Sequence, residues 1–98
     1  MDTNYDEWSD GEITWRVHHV FNKVPKGYAT ICVADFCNKF EDWYPIAEKY
    51  GMSLDVGGGA SIPKSVSGLD NIISYTCEGK LGRAVSICFL KLTDATHD

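Results

Sequence analysis

Residues 12–21 read EITWRVHHVF, and the spacing of the apolar residues in this stretch decides the predicted fold. Alternate positions are apolar or aromatic with one histidine among them, and most of the positions between them are polar. A two-residue period of β-branched and aromatic side chains is typical of a half-buried strand. The sequence therefore predicts a strand over residues 12–21. The residues expected on one face are Ile13, Trp15, Val17, His19 and Phe21.

The segments that follow extend this arrangement. Residues 28–34 are almost continuously apolar, which is typical of a strand covered on both faces, and we expect them to pair with residues 12–21 in an antiparallel hairpin. Asp35 then has the side chain of a helix N-cap. A helix is predicted over residues 36–50, either kinked near residues 41–43 or restarted around Asp42 with Pro45 in the first turn, because proline removes a helical hydrogen bond. Its expected apolar stripe consists of Phe36, Phe40, Trp43, Ala47 and Tyr50.

The C-terminal third predicts a second hairpin, with strands over residues 71–77 and 84–92. Before it, residues 52–70 form a long connection with three consecutive glycines and room for a short strand at 53–56. The predicted fold class is therefore α+β: a four-stranded, mainly antiparallel sheet with one helix packed on a face, in the order ββαββ.

The length of 98 residues predicts one domain. The expected organisation is an acidic, irregular N-terminal arm over residues 1–11, the α+β domain over residues 12–93 and a polar tail over residues 94–98.

The net charge of −5 comes entirely from the first twelve residues. Five of the fourteen acids lie there without any Lys or Arg, and the remaining nine acids balance the nine bases of the chain. A nucleic-acid binder normally presents a basic excess, so direct nucleic-acid binding is disfavoured. We expect instead a protein partner with a basic surface, unless the acids only keep the terminus solvated. The predicted partner contacts are Tyr5, Asp6, Glu7, Trp8, Asp10, Arg16 and His18.

Four cysteines occur, at positions 32, 37, 77 and 88. Acids rather than a basic and then apolar run follow Met1, so we expect no signal peptide, no membrane span and a cytoplasmic protein with reduced cysteines. The spacing between Cys32 and Cys37 is a poor match to zinc motifs, and we expect no metal and no cofactor.

The glycine-rich segment from residue 55 to residue 68 is the strongest candidate for a small-ligand site. It nearly fits a phosphate-binding loop, but Pro63 stands where that motif has its second glycine and offers no N–H. Nucleotide binding is therefore disfavoured, while binding of another ligand or of a partner stays open. The candidate ligand contacts are Gly57, Gly58, Gly59, Lys64 and Ser65.

No catalytic residue is assigned. Cys37 falls just after Asp35, where a helix dipole would lower a thiol pKa, but a core cysteine is the favoured interpretation. His18 and His19 are adjacent, so on a strand they would point to opposite faces and would not share a metal ion.

Three functions remain after these exclusions. The favoured one is a small stand-alone protein-binding module and not an enzyme; by analogy of size and charge, it would act like a phage or mobile-element inhibitor that binds a host nuclease or defence complex. The first alternative is a small-ligand or nucleotide-binding domain, or a small enzyme, that uses the glycine-rich segment. The second is a homodimeric structural or interaction domain that pairs through an exposed strand edge.

Overall fold

The computed structural model describes residues 4–23, 34–68 and 72–96. These ranges form an α+β arrangement, but the predicted four-stranded sheet with one helix is wrong: they contain four helices and a three-stranded antiparallel sheet. The elements in chain order are a 3-10 turn at Tyr5–Glu7, α1 at Asp10–Phe21, α2 at Phe40–Lys49, β1 at Ser53–Asp55, β2 at Gly59–Ile62, α3 at Lys64–Ser67, β3 at Ile73–Thr76 and α4 at Leu81–Thr96.

The strand predicted over residues 12–21 is a helix, α1. Its start is fixed by a capping box: the Ser9 hydroxyl accepts from the Glu12 backbone N–H at 3.1 Å, and the Ser9 N–H donates to the Glu12 carboxylate at 3.0 Å. Together these bonds satisfy free donors at the helix N-terminus. Ile13 and Val17, one helical turn apart, are fully buried, whereas Trp15 is 44% exposed. Burial therefore follows the helical period and not the alternation.

The strand predicted over residues 84–92 is also a helix, α4, which forms the centre of the molecule. Every residue from 82 to 90 is buried, because α4 contacts α1, α2, β2 and β3. A helix that is surrounded in this way is apolar on all sides and lacks the usual amphipathic pattern. Its sequence is then difficult to distinguish from that of a strand buried on both faces.

The sheet has the strand order β1-β2-β3 and covers one side of α4. The predicted strand over residues 71–77 is confirmed by β3, and the short strand near 53–56 by β1. The register pairs Ala60 with Leu54 and Tyr75, and Ile62 with Ile73, so these residues share the face toward α4. The opposite face carries small polar side chains, from Ser53, Asp55, Ser61, Ser74 and Thr76.

The strand predicted over residues 28–34 lies outside the described residues, apart from Ala34. The predicted hairpin between it and residues 12–21 is not formed, because residues 12–21 belong to α1. Residues 94–96, predicted as polar tail, form the last turn of α4.

The predicted helix over residues 36–50 begins later than expected. Asp35 accepts the backbone N–H groups of Cys37 and Asn38, at 3.3 and 3.1 Å, in a turn that precedes the helix, and Lys39 is the N-cap residue of α2. Pro45 lies inside α2, where its ring removes one backbone donor and leaves the Glu41 carbonyl without its helical partner. Both residues are exposed, so water can replace the missing bond.

Helix α2 packs closely against α4 at Gly82. A Cβ atom at this position would lie 2.4 Å from Cδ1 of Trp43 and 2.5 Å from the Cys37 carbonyl oxygen, so only glycine fits. The Ser86 hydroxyl, one turn further along α4, donates to the Phe36 carbonyl at 2.7 Å. These contacts fix the start of α2 on the surface of α4.

Among the described residues, no helix combines the length and apolarity needed to cross a bilayer.

Candidate functional site

The N-terminal segment, residues 4–10, is docked on the domain. Tyr5 is only 3% exposed, and its hydroxyl donates to the Asp94 carboxylate near the end of α4. The Tyr5 ring meets the half-buried Trp8 ring edge to face, with centroids 4.9 Å apart. Both aromatic rings of the predicted partner surface therefore pack against this chain's own core.

Arg83 in the first turn of α4 holds the N-terminal segment in place. The guanidinium is buried, with the residue 8% exposed. Its Nη1 lies 2.7 Å from Oδ1 of Asp10, and its Nη2 donates to the carbonyls of Trp8 at 2.6 Å and Tyr5 at 3.2 Å. A guanidinium suits this role because its planar donors reach several acceptors at once.

Asp10 connects this segment to two cations and an amide. Its carboxylate accepts from Lys80 at 2.9 Å, from Arg83 at 2.7 Å and from the Asn38 side chain at 3.4 Å. Partial burial raises the pKa of Asp10, but the hydrogen bonds from these three residues outweigh it, so the pKa lies below its ordinary value of 3.8. The negative charge of Asp10 is thus used within the fold.

Asp6 is the second carboxylate of this segment with an internal partner. It is exposed, and it accepts a hydrogen bond from the Tyr75 hydroxyl on β3. Burial of Tyr75 is the largest cause and this hydrogen bond the second, and they raise the pKa of the phenol to about 12. Glu7 is exposed and is available to a partner.

The remaining predicted contacts lie on α1. Arg16 is exposed, and His18 lies 3.0 Å from the Asn22 side chain. His18 and His19 are about 100° apart around the helix instead of on opposite sides of a strand, and their rings are 5.6 Å apart. The Trp15 ring contacts both histidines, at 5.8 and 4.6 Å. His19 Nε2 is buried without a hydrogen-bond partner. The role of all these residues in partner binding stays a prediction.

Within the glycine-rich segment, residues 56–58 form a structural turn between β1 and β2. The Gly57 and Gly58 N–H groups both donate to Asp55, at 3.2 and 2.8 Å, and the two glycine carbonyls accept from Gly79 and Cys77. Gly58 has φ of +113°, and a Cβ there would lie 2.2 Å from the Cys77 carbonyl oxygen. The glycines therefore allow two turns to pack together.

Lys64 and Ser65 are not brought to these glycines. They lie in the one-turn helix α3, beyond the far end of β2, and both are exposed. Residues 60–63 separate the two groups, and the strand from Gly59 to Ile62 alone spans roughly 10 Å at about 3.3 Å per residue. The candidate ligand contacts thus occupy opposite ends of one strand.

Cys37 is buried between α1 and the turn before α2. Thr14 donates to its sulfur at 3.9 Å, and the thiol faces the Asp10 carbonyl at 3.7 Å. Desolvation raises the pKa of Cys37 to about 11, so the thiol stays protonated near neutral pH. This argues against a nucleophilic role. Within the described ranges, no group of three His, Cys, Asp or Glu residues is arranged to hold a metal ion.

The first two turns of α2 expose two aromatic side chains. Phe40 is 58% exposed and Tyr44 39% exposed, and their rings stack with centroids 4.8 Å apart. Trp43 meets the Phe40 ring edge to face at 5.1 Å and is itself buried against α4. Glu41 and Glu48, also on α2, are exposed. We refer to Phe40, Tyr44, Glu41 and Glu48 as the α2 aromatic surface.

Sequence reasoning missed the two main features of this region. Phe40 was expected in the apolar stripe, but the helix begins at this residue and its ring projects into solvent. Arg83 lies between the strands predicted over residues 71–77 and 84–92, and the sequence pattern assigns it no role. The available sequence signal for its buried ion pair was a single arginine directly before the largely apolar residues 84–90, in a chain with an acidic N-terminus.

Comparison with protein-family models, with curated proteins and with solved structures found no match. The proposals below therefore rest on geometry and chemistry alone.

Proposed function

We propose that this protein is a small protein-binding module and that the α2 aromatic surface is its main contact. The observation that carries the proposal is the stacked pair of Phe40 and Tyr44, two aromatic rings that lie side by side on one helix and are 58% and 39% exposed. Exposed aromatic side chains next to polar residues are typical of interaction sites.

Covering the exposed Phe40 ring is energetically favourable for a partner. A phenylalanine side chain presents about 200 Å², and about half of it is in solvent, so its burial is worth roughly 2.5 kcal/mol at ~25 cal/mol/Å². Within this protein the ring contributes little packing, because its neighbours are Trp43 and Tyr44 on the same helix. A partner that covers both rings recovers this energy, as aromatic residues at the centre of interfaces do.

The charge of the chain supports a partner with a basic surface. The net charge is −5, and exposed carboxylates include Glu7 and Glu12 near the N-terminus as well as Glu41 and Glu48 on α2. Exposed charges of one sign accelerate encounter with a complementary surface more than they add affinity. Asp6, Glu7 and Trp8 remain candidate contacts at the edge of this interface.

Direct binding of this kind is how an inhibitor of another macromolecule acts, and it requires no catalytic group. The free thiols of Cys37, Cys77 and Cys88 support the proposal that the protein acts in a reducing compartment such as the cytoplasm.

The small-ligand alternative is less well supported, because the Gly57 and Gly58 N–H groups are bonded to Asp55.

Affinity capture from an extract of the native host tests the proposal. Immobilised wild-type protein is compared with the double variant Phe40→Ala and Tyr44→Ala, and with Val56→Ala as the matched control, because Val56 is 97% exposed at the β1–β2 turn. We expect a polypeptide that binds the wild type and Val56→Ala but binds the double variant at least ~30-fold more weakly, since central aromatic contacts exceed about 2 kcal/mol.

Two results would count against the proposal. One is that every captured polypeptide binds the double variant as well as the wild type. The other is that sedimentation shows a stable homodimer in which the two rings are covered by a second copy. Circular dichroism of the double variant must show an unchanged fold, which we expect because alanine favours helix formation.

A further inference from the structure

The α2 aromatic surface has the composition of a cation-binding site. Phe40, Tyr44 and Glu48 follow one another at four-residue intervals, so they lie along one ridge of the helix. Glu41 lies on the adjacent ridge, three residues before Tyr44. The stacked rings are therefore flanked by two exposed carboxylates.

The cations of the same element do not neutralise this surface. The Lys49 ammonium lies over the rings of Phe21 and Tyr50, at 5.3 and 5.6 Å, on the side of α2 toward α1 and α4. Lys39 is the N-cap residue and precedes both rings. Asp42, the third acid of α2, is occupied by the Asp35 backbone N–H at 2.8 Å. Two carboxylates thus remain for a partner.

We infer that the α2 aromatic surface receives an arginine side chain of the partner protein, an inference that rests on the proposed function. Aromatic faces carry negative potential and attract cations. A guanidinium is planar and weakly hydrated, so it can stack on Tyr44 or Phe40 while its N–H groups pair with Glu41 or Glu48. A lysine ammonium is a hydrated point charge that stacks poorly.

The charge of the molecule favours the same occupant. An acidic protein with a net charge of −5 attracts a basic segment, and the exposed carboxylates of α2 specify where its cation binds. This chain has only two arginines, Arg16 and Arg83, and Arg83 is buried in its own ion pair. The exposed Arg16 of a second copy is therefore the competing occupant that the experiment must exclude.

Nuclear magnetic resonance titration with two matched peptides tests the inference. The probes are blocked Gly-Ser peptides with one central arginine or one central lysine, added to labelled full-length protein. We expect saturable shifts confined to residues 40–48, with the arginine probe binding about two- to five-fold more tightly than the lysine probe. The double variant Glu41→Gln and Glu48→Gln should weaken arginine binding by about three-fold or more, and Phe40→Ala with Tyr44→Ala should abolish it.

The control is Asp55→Asn, which removes an exposed carboxylate on β1, outside the α2 aromatic surface, and should leave the titration unchanged. Equal binding of both probes, or insensitivity to the two glutamine substitutions, would overturn arginine recognition. If the arginine probe fails while captured partners still depend on Phe40 and Tyr44, the inference fails and the proposed function stands. Self-association that is lost in Arg16→Ala would also overturn it.

Discussion

Replacing Arg83 with alanine tests whether one guanidinium holds the N-terminal segment on the domain. In the variant, the Trp8 carbonyl loses its 2.6 Å hydrogen bond, while the Tyr5 carbonyl keeps only the bond from the Trp8 N–H at 3.1 Å. Asp10 loses its 2.7 Å ion pair but keeps Lys80 at 2.9 Å, and its side chain is partly exposed.

These losses set the expected magnitude. A buried carbonyl without a donor costs about 1–3 kcal/mol. Breaking a fully buried ion pair costs about 3–5 kcal/mol. The charge of Asp10 is not stranded here, because water and Lys80 still reach it, so only part of that second cost applies. We expect the free energy of unfolding to fall by about 2–4 kcal/mol, a large part of the total of about 5–15 kcal/mol typical of a domain.

Urea denaturation followed by circular dichroism measures this change. The matched control is Lys80→Ala, which removes the other cation at the same carboxylate. The Lys80 side chain is half-exposed and screened by solvent, so we expect a much smaller loss of stability than in Arg83→Ala. The denaturant slope should stay the same in both variants, so that the midpoint reports stability. A loss for Arg83→Ala below 1 kcal/mol, or one no larger than that of Lys80→Ala, would refute the proposed role of Arg83.

Three further outcomes are expected. Gly58→Ala should lower the free energy of unfolding by more than about 2 kcal/mol in urea denaturation, because the added Cβ would overlap the Cys77 carbonyl. The control is Gly68→Ala, also at positive φ but in open space, which should cost about 1 kcal/mol. Equal losses in the two variants would contradict the packing role of Gly58. The stabilising contribution of Asp10 is present above its unfolded pKa near 3.8 and should disappear as the pH falls through its lower folded pKa, so Asp10→Asn should flatten the acid limb of the stability curve; an unchanged limb would exclude this linkage. Tyr75 should ionise only near pH 12 in an ultraviolet titration, and Tyr75→Phe should remove that transition. A normal phenol titration near pH 10 would contradict both the burial of Tyr75 and its bond to Asp6.

Asp10 has a role within the fold that charge patterning in the sequence does not reveal. The five acids of residues 1–12, together with Tyr5 and Trp8, predict an interaction surface, because acids without nearby bases in sequence should be solvated. Asp10 instead pairs with Lys80 and with Arg83 in the first turn of α4, which lie 70 and 73 residues further along the chain. A pairing over that separation is not visible in local composition.

The candidate site was only partly accessible to sequence reasoning. The aromatic residues of α2 were recognised as one helical stripe, but the exposed and buried members of that stripe depend on where the helix starts and on which side α4 lies. Trp43 is buried because Gly82 of α4 lets the two helices approach closely, and Phe40 is exposed because none of the described elements covers the first turn of α2.

Local chemistry by itself determined several elements. The alternation of residues 71–77 predicts β3, which the structure confirms. The Ser9–Glu12 capping box is a local signal for the start of α1, although the alternation of residues 12–21 predicted a strand there. Residues 12–21 and 84–92 fit both the period of a strand and that of a helix. The conformation of these two stretches depends on contacts with elements that are distant in sequence. Helix α4 is surrounded by α1, α2, β2 and β3, and α1 packs against α4 with Ile13 and Val17 fully buried. Only the tertiary structure decides between two local conformations when the apolar pattern satisfies both.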